Sequence, residues 1–482
     1  MTIDPKILTL IWIVLPFFVG FSIYLLPRLD RTLTIAISIA SFAYGLWYVL
    51  NPEPVVVQLL DSFGVSLLID GLSGFFILTN AVVTTAVILY CWQSGKSAFF
   101  YTQTIILHGS VNAVFITADL ISVYVALEVI SIAAFLLIAY PRTDRSVWVG
   151  LRYLFVSNTA MLFYLIGAVM VYKSSNSFAF TGLAEAPTEA VALLFMGLLT
   201  KGGIFVSGLW LPLTHAESES AVSALLSGVV VKTGVFPLVR FALMVPETDA
   251  IVRLFGVATA LLGVGYAVFT KDSKRMLAFH TVSQLGFILA APAVGGFYAL
   301  THGLVKSALF LIAGSLPSRN IKVLREKPMP TSVWIALAIA SFSISGFPLL
   351  AGFGAKVLTS KNLAPWQVIG MNVAALGTAI SFAKFIFLPH SSETGEAAVK
   401  PGFWSAMVLL LSGLVLANGL YYEAYSLSNV VKPLLTIAAG WLAYLFIFKK
   451  LSVQLPRVPE QFEHVIGAMS LVLTFLFWIV LA

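Results

Sequence analysis

The chain has 482 residues, 59% of them hydrophobic and only 10% charged, with a formal net charge of +7. Soluble domains carry about 25% charged residues, and a single soluble core stops growing at roughly 250–300 residues. The surplus apolar surface therefore excludes a soluble globular protein and requires lipid. No basic stretch is interleaved with aromatics as a nucleic-acid reader would need, so no nucleic-acid partner is expected and the excess charge points to loop bias at a bilayer.

A spanning helix needs about 20 mostly apolar residues. Sixteen such runs follow in order, near 6–26, 32–50, 71–92, 98–118, 120–140, 147–172, 188–210, 218–244, 248–270, 276–295, 297–317, 331–358, 364–389, 403–421, 430–448 and 464–481. The first is long enough to span, and no small-residue cleavage site follows it, so it reads as a membrane helix and not as a cleavable signal. Cys91, the single cysteine, reads as a small hydrophobe at a helix end. With the N-terminus outside, the cytoplasmic loops carry Arg28, Arg31, Lys96, Arg142, Arg145, Lys271, Lys274, Arg275, Arg319, Lys322, Arg325, Lys327, Lys449, Lys450 and Arg457. The opposite loops hold few bases, such as Lys173 and Arg253, and the acids Glu53, Asp61, Glu185 and Glu189. That asymmetry obeys the positive-inside rule. It predicts a multi-pass protein of the cell (inner) membrane, or an equivalent energy-coupling membrane, with both termini on the non-cytoplasmic side. The polar stretches 318–330, 390–401 and 449–463 are too short to fold alone, and no phosphate-binding glycine loop is present. Transport driven by ATP on this chain is not expected.

Ionisable side chains at membrane depth cost about 3 kcal/mol or more and mark function by default. Glu128 lies in VYVALEVISIAAF, Lys201 in LLFMGLLTKGGIF and Lys232 in LLSGVVVKTGVF. His302 and Lys306 lie four apart on one helical face in LTHGLVKSALFLIAG. Lys356 follows GFPLLAGFGA, and Lys384 lies near a run end in SFAKFIFLPH. The bland reading for lysine is snorkelling to an interface, which fits Lys384 well and Lys201 and Lys232 poorly, since apolar residues extend to both sides of these two. A buried lysine or glutamate titrates far from its ordinary range, and histidine titrates near neutrality unaided, so the set reads as a proton relay. No Cys cluster or HxxxH pair exists, and no metal site or cofactor is expected.

Two runs look interrupted. Gly202, Gly203, Gly208 and Pro212 follow Lys201, and Gly346, Pro348, Gly352 and Gly354 precede Lys356. Glycine and proline weaken helices, and irregular backbone at membrane depth survives only inside protein or beside water. Paired interruptions in corresponding halves point to a transport site. The interrupted runs are the seventh and the twelfth, which predicts inverted five-helix repeats over helices 4–8 and 9–13. The expected fold is an all-α polytopic bundle of about 14–16 helices, divided as 1–97 (three helices), 98–245 (first repeat), 246–390 (second, inverted repeat) and 391–482 (C-terminal helices for subunit docking).

At this point a family resemblance emerges. DLISVYVALEVISIAAFLLI resembles the fifth-helix motif of the proton-translocating subunits of NADH-quinone oxidoreductase and Mrp-type antiporters. LLTKGGIFVSGLWLPLTHAESESAVSALLSGVVVKTGVFPLVRF resembles their seventh and eighth helices, KDSKRMLAFHTVSQLGFIL and LTHGLVKSALFLIAGSL the ninth-to-eleventh region, SFSISGFPLLAGFGAKVL the broken twelfth helix, and SLLIDGLSGFF the third-helix entrance at Asp70. The resemblance runs from about residue 60 to 390.

It implies roles position by position. Glu128 matches the glutamate that pairs with the seventh-helix lysine, Lys201 that lysine in the input half-channel, and Lys232 the connecting lysine of helix eight. His302 and Lys306 match the central axis, Lys356 the output-side residue of helix twelve, and His215 a histidine after the first break, at a gate or entrance. Lys384 and Asp119 stand as accessory positions. The sequence departs from the family where Gly202-Gly203 replaces a proline, Leu213-Thr214 precedes His215 in place of Asp and Ala, and Ser218-Glu219 replaces Ala-Pro. The resemblance implies a membrane subunit of a multisubunit Mrp-type cation/proton antiporter, with other membrane subunits as partners and protons, with Na+ or K+, as transported ions. The alternative is the matching subunit of an NADH- or ferredoxin-quinone oxidoreductase or membrane-bound hydrogenase. A non-translocating scaffold and a membrane-embedded transferase, with HAESES as its one candidate loop, are the rivals from other classes. No catalytic redox site is expected on this chain.

Overall fold

The computed structural model describes every residue except 1–3, 61–62, 393–398, 452, 454 and 482. Asp61, among the loop acids above, and parts of the polar stretches 390–401 and 449–463 lie outside the described residues. The protein is a helical membrane bundle. Among the described residues thirteen helices are long and apolar enough to span, and a bent pair makes a fourteenth.

All sixteen apolar runs correspond to a helix or a broken pair. In chain order these are α1 (Pro5–Leu25), α2 (Asp30–Leu50), α3 (Gly71–Cys91), α4 (Ala98–Ile116), α5 (Leu120–Ile138) and α6 (Asp144–Ser175). The broken α7 follows as α7a (Thr188–Gly202) and α7b (Leu211–Glu217), then α8 (Ser220–Met244), α9 (Pro246–Phe269), α10 (Ser273–Ala290) and α11 (Gly295–Ala313). The broken α12 consists of α12a (Thr331–Ser345) and α12b (Ala351–Lys361), and the chain continues through α13 (Val368–Ile386), α14 (Phe403–Asn418), α15 (Leu427–Phe448) and α16 (Phe462–Leu481). An antiparallel hairpin, β1 (Val55–Leu60) and β2 (Gly64–Ile69), joins α2 to α3.

Local chemistry sets many of these ends. Asp70, Asp119 and Asp272 cap α3, α5 and α10 by accepting from the backbone N–H three residues on, which satisfies otherwise orphaned donors. Arg240 of α8 binds both carboxylate oxygens of Asp70, at 2.5 and 2.9 Å. Burial works to raise the Asp70 carboxyl, but Arg240 and Ser73 outweigh it and hold it below its ordinary range. Because its folded value is depressed, this clamp stabilises the fold above the ordinary carboxylate range and is lost only as pH falls through the depressed value.

The layering explains where polar residues are tolerated. Every residue of α10 and α11 is buried, and α8 is buried throughout its spanning window. Protein rather than lipid surrounds these three helices, so α10 can carry Lys274, Arg275, His280 and Gln284 inside the bundle. The outer helices α1, α15 and α16 turn large apolar side chains such as Phe18, Leu435 and Trp478 outward. Within the C-terminal region, α16 packs on α7a and on the turn of residues 205–208, while α14 packs on α3, α11 and α12b. Glu460, just before α16, is buried against Arg275 at the start of α10.

Candidate functional site

Both interrupted helices end their first segment in the same way. α7a closes with Gly203 in the left-handed region (φ 70°), with Ile204 N–H bonded to Leu199 O at 2.8 Å and Gly203 N–H to Thr200 O at 3.1 Å. α12a closes with Gly346 at φ 87°, with Phe347 N–H bonded to Phe342 O and Gly346 N–H to Ser343 O, both at 3.0 Å. These are paired Schellman bonds, and glycine supplies the left-handed residue without a Cβ clash. In each case a second glycine lets the chain continue against the broken end. A Cβ on Gly208 would run into the Gly203 carbonyl, and one on Gly352 would run still more closely into Ser343 O.

Lys201, in the last turn of α7a, is 2% exposed. Its ammonium donates to Ser131 Oγ at 2.5 Å, Ser157 Oγ at 2.7 Å and Leu127 O at 3.3 Å, 5.6 Å from the Tyr153 ring centre. The resemblance implied a Glu128–Lys201 pair, yet no ion pair joins them within 4 Å among the described residues. Leu127 and Ser131 lie on the α5 stripe facing α7, whereas Glu128 sits a third of a turn away. It is half-buried, on the face where Val125 and Ile132 are more than half exposed.

Lys232 begins the second α-helical part of α8 after a wide turn at Leu226–Val230. It is completely buried and donates to Gly228 O at 2.5 Å and Ser227 O at 3.4 Å. Its Nζ lies 3.6 Å from where a Cβ of Gly303 would stand, so the missing side chain at Gly303 brings it against the stretch carrying His302 and Lys306. α7a and α8 meet at glycines, with the Cβ position of Gly234 directly against Gly202 N.

Lys306 is completely buried, donates to Leu277 O of α10 and lies 5.1 Å from the Phe310 ring centre. His215 of α7b faces the same Phe310 ring at 5.8 Å, which places it beside the centre of the bundle. His302 lines a cavity of about 10 Å3 with Gln284, Tyr298, Thr301, Ser343 and Lys356, a space on the scale of one water. Both ring nitrogens of His215 and of His302 are buried without a hydrogen-bond partner among the described residues. Lys356 folds back over its own break and donates to Ser345 O at 3.2 Å.

Two expected accessory residues have local structural partners. Lys384 donates to three carbonyls, Ala267 O, Val268 O and Thr270 O, at 2.7–3.0 Å. An ammonium has three donors, so it caps the end of α9, where the helix dipole favours a cation. Asp119 caps α5 through Ser122 N–H at 2.7 Å and also accepts Ser66 N–H of β2 at 2.9 Å. The criterion that singles out His302, an ionisable side chain inside an apolar run, applies equally to His280 in LAFHTVSQLGF and His108 in IILHGSVNAVF. Neither is in the expected set. His108 is fully partnered by Ser41, Thr84 and Asn112, which ties α2, α3 and α4 together.

The family model described as NADH:quinone oxidoreductase/Mrp antiporter, TM, matches residues 117–381, more than half of the chain. The chain belongs to this family. Its relatives include the N subunit of NADH-quinone oxidoreductase from Desulforudis audaxviator, 28% identical and covering 82% of this chain and 90% of that one. A Na(+)/H(+) antiporter subunit from Alkalihalophilus pseudofirmus is 26% identical, covering 72% of this chain and 78% of that one. In the solved Mrp complex from Dietzia sp. DQ12-45-1b, one chain superposes with a TM-score of 0.72 at 20% identity, covering 95% of this chain and 98% of that chain. As an NADH:quinone oxidoreductase/Mrp antiporter family member the protein is a multi-pass subunit type, and its structural neighbours are parts of multisubunit membrane complexes. Asp119, Glu128, Lys201, His215, Lys232, His302, Lys306 and Lys356 fall inside the family match, and Lys384 falls just beyond it.

Proposed function

We propose that this chain is the proton-translocating subunit of an Mrp-type cation/proton antiporter, working through Glu128, Lys201, Lys232, His302, Lys306 and Lys356. One observation carries the reading. Lys201, Lys232, Lys306 and Lys356 bind only hydroxyl or carbonyl oxygens, and none has a carboxylate within 4 Å among the described residues. A buried lysine without a counter-ion exchanges its proton more readily than one fixed in an ion pair. The helices that carry these lysines, α7a, α8, α11 and α12b, pack on one another in that order.

In this reading α4–α8 and α9–α13 form inverted repeats, each with its broken helix, and His215 gates the entrance. Both termini lie on the non-cytoplasmic side of an energy-coupling membrane. Glu128 belongs at a subunit boundary. A half-exposed carboxylate among Val125 and Ile132 is costly against hydrocarbon, so a partner membrane subunit covers that face. The outward faces of α15 and α16 form a second docking surface.

Likeness to the NADH-quinone oxidoreductase relative favours a second reading, a redox-driven complex of the quinone oxidoreductase type. Proton flux in inverted vesicles holding the native complex separates the two. Flux driven by Na+ or K+ without an electron donor, abolished by Lys201→Ala and by Glu128→Gln, establishes the antiporter. Flux only with a donor and quinone assigns the chain to the redox complex with the same residues in the same roles. Undiminished flux in Lys201→Ala overturns the relay and favours a scaffold.

A further inference from the structure

The relay set leaves two buried imidazoles unused, and of these His108 is fully hydrogen-bonded. His280 stands mid-way along α10, is completely buried, and has no hydrogen-bond partner on either ring nitrogen among the described residues. Its ring packs 4.6 Å from that of Phe382 on α13. The polar groups on either side of it along α10 are already committed to the path. One turn before it, Leu277 O accepts the Lys306 ammonium. One turn after it, Gln284 accepts from Tyr298 OH at 2.6 Å, and both line the cavity that holds His302 and Lys356. Residues 277, 280 and 284 share one helical stripe.

We propose that His280 is a further proton-carrying residue, linking Lys306 to the Lys356 cavity along α10; this rests on the relay reading above. Lys306 reaches across to α10 rather than staying along its own helix toward His302, so its proton is presented on the His280 side. The step balances as a proton transfer alone. The imidazole takes the proton from the Lys306 ammonium on one ring nitrogen, leaving a neutral amine. It then releases a proton from the other nitrogen, past Gln284 and Tyr298, to the neutral amine of Lys356 in the cavity they line, which becomes the ammonium. No electron moves, and no co-reactant is consumed.

The charged surroundings are defined. Lys306, Lys384 and Lys356 are near enough to act on the His280 ring electrostatically. Lys384 is committed to its three carbonyls and serves as a fixed positive charge. α7b, α8 and α11, which also pack on α10, carry His215, Lys232 and His302. On the side of α9, Tyr266 stacks on Phe279, and Arg253 reaches only the far end of α10 at Ala290 O. Lys274 and Arg275 lie at the start of α10 itself. No carboxylate forms an ion pair with any of the three nearby lysines among the described residues.

The test compares His280→Ala, His280→Gln and Lys201→Ala in vesicles containing the native complex, with flux followed across the pH range. His280→Gln keeps a polar side chain of similar size and carries the test where alanine impairs assembly. The expected result is flux lowered at least about tenfold in both His280 variants, with one titration step lost from the pH profile. A packing role alone would lower thermal stability and leave the pH profile of the assembled complex intact, which overturns the inference. If Lys201→Ala abolishes flux while the His280 variants keep wild-type flux and profile, His280 is off the path and the relay stands. If Lys201→Ala also retains flux, the relay reading falls and this inference falls with it.

Discussion

The two broken helices differ in what satisfies the carbonyls that the break sets free. Both first segments are fifteen residues long, about 22 Å at 1.5 Å per residue, and so fall short of a roughly 30 Å hydrocarbon core. Both close on a left-handed glycine. In α7 the Trp210 indole donates to Thr200 O at 2.8 Å, which leaves Lys201 free to reach α5 and α6. In α12 the lysine itself takes that task, with Lys356 on Ser345 O. A neutral cap separates structure from chemistry in the first case, whereas one residue serves both in the second. The breaks are also covered differently, α7 by α16 and α12 by α14.

The largest expected contrast is in flux. Lys201→Ala should lower it at least about 100-fold without changing the thermal unfolding temperature of the purified protein, whereas Lys356→Ala should lower both flux and stability. Equal unfolding temperatures for the two variants would remove the distinction. Next comes the glycine contact behind each break. Gly352→Ala and Gly208→Ala should each destabilise by about 1–3 kcal/mol in a denaturation series, as overpacked cores do, with Gly352→Ala the worse because its added carbon comes closer to backbone, at Ser343 O. Cap removal is smaller. Trp210→Phe should cost about 1 kcal/mol and leave the Lys201 bonds intact, so flux should fall only in proportion to folded protein. A collapse of flux in that variant would show that the neutral cap is part of the path. Smallest is Ser157→Ala, which leaves Lys201 with Ser131 and Leu127 and should change flux only a few-fold in vesicle assays, on the scale of one lost hydrogen bond of about 1 kcal/mol.

Much of this was legible beforehand. The sixteen runs appear as helices or broken pairs because an apolar length near 20 residues leaves the chain few alternatives in lipid. Gly202-Gly203 and Gly346 mark the two breaks since each closes a Schellman motif that needs a left-handed residue. Other features were not legible. Glu128 and Lys201 both stand out in the sequence, but the placement of Glu128 on α5 decides that it acts on Lys201 only at a distance, while Ser131 takes a hydrogen bond from the ammonium. Lys384 already reads as an interfacial lysine, but only the structure shows that three carbonyls at the end of α9 fix it as a cap. His280 is as conspicuous as His302, and only the contacts of Leu277 and Gln284 give it a place between two lysines.

By itself the sequence determined that this is a many-helix membrane protein of its family and which ionisable groups lie at depth, because hydropathy and charge cost depend on residue type alone. The tertiary structure decided which of those groups meet. It surrounds α8, α10 and α11 with protein, shares out hydroxyls and carbonyls among the lysines, and leaves the imidazoles of His215, His280 and His302 without a hydrogen-bond partner among the described residues. Partner choice for a buried donor depends on the angle and depth at which helices far apart in the chain come together, and no local pattern carries that information.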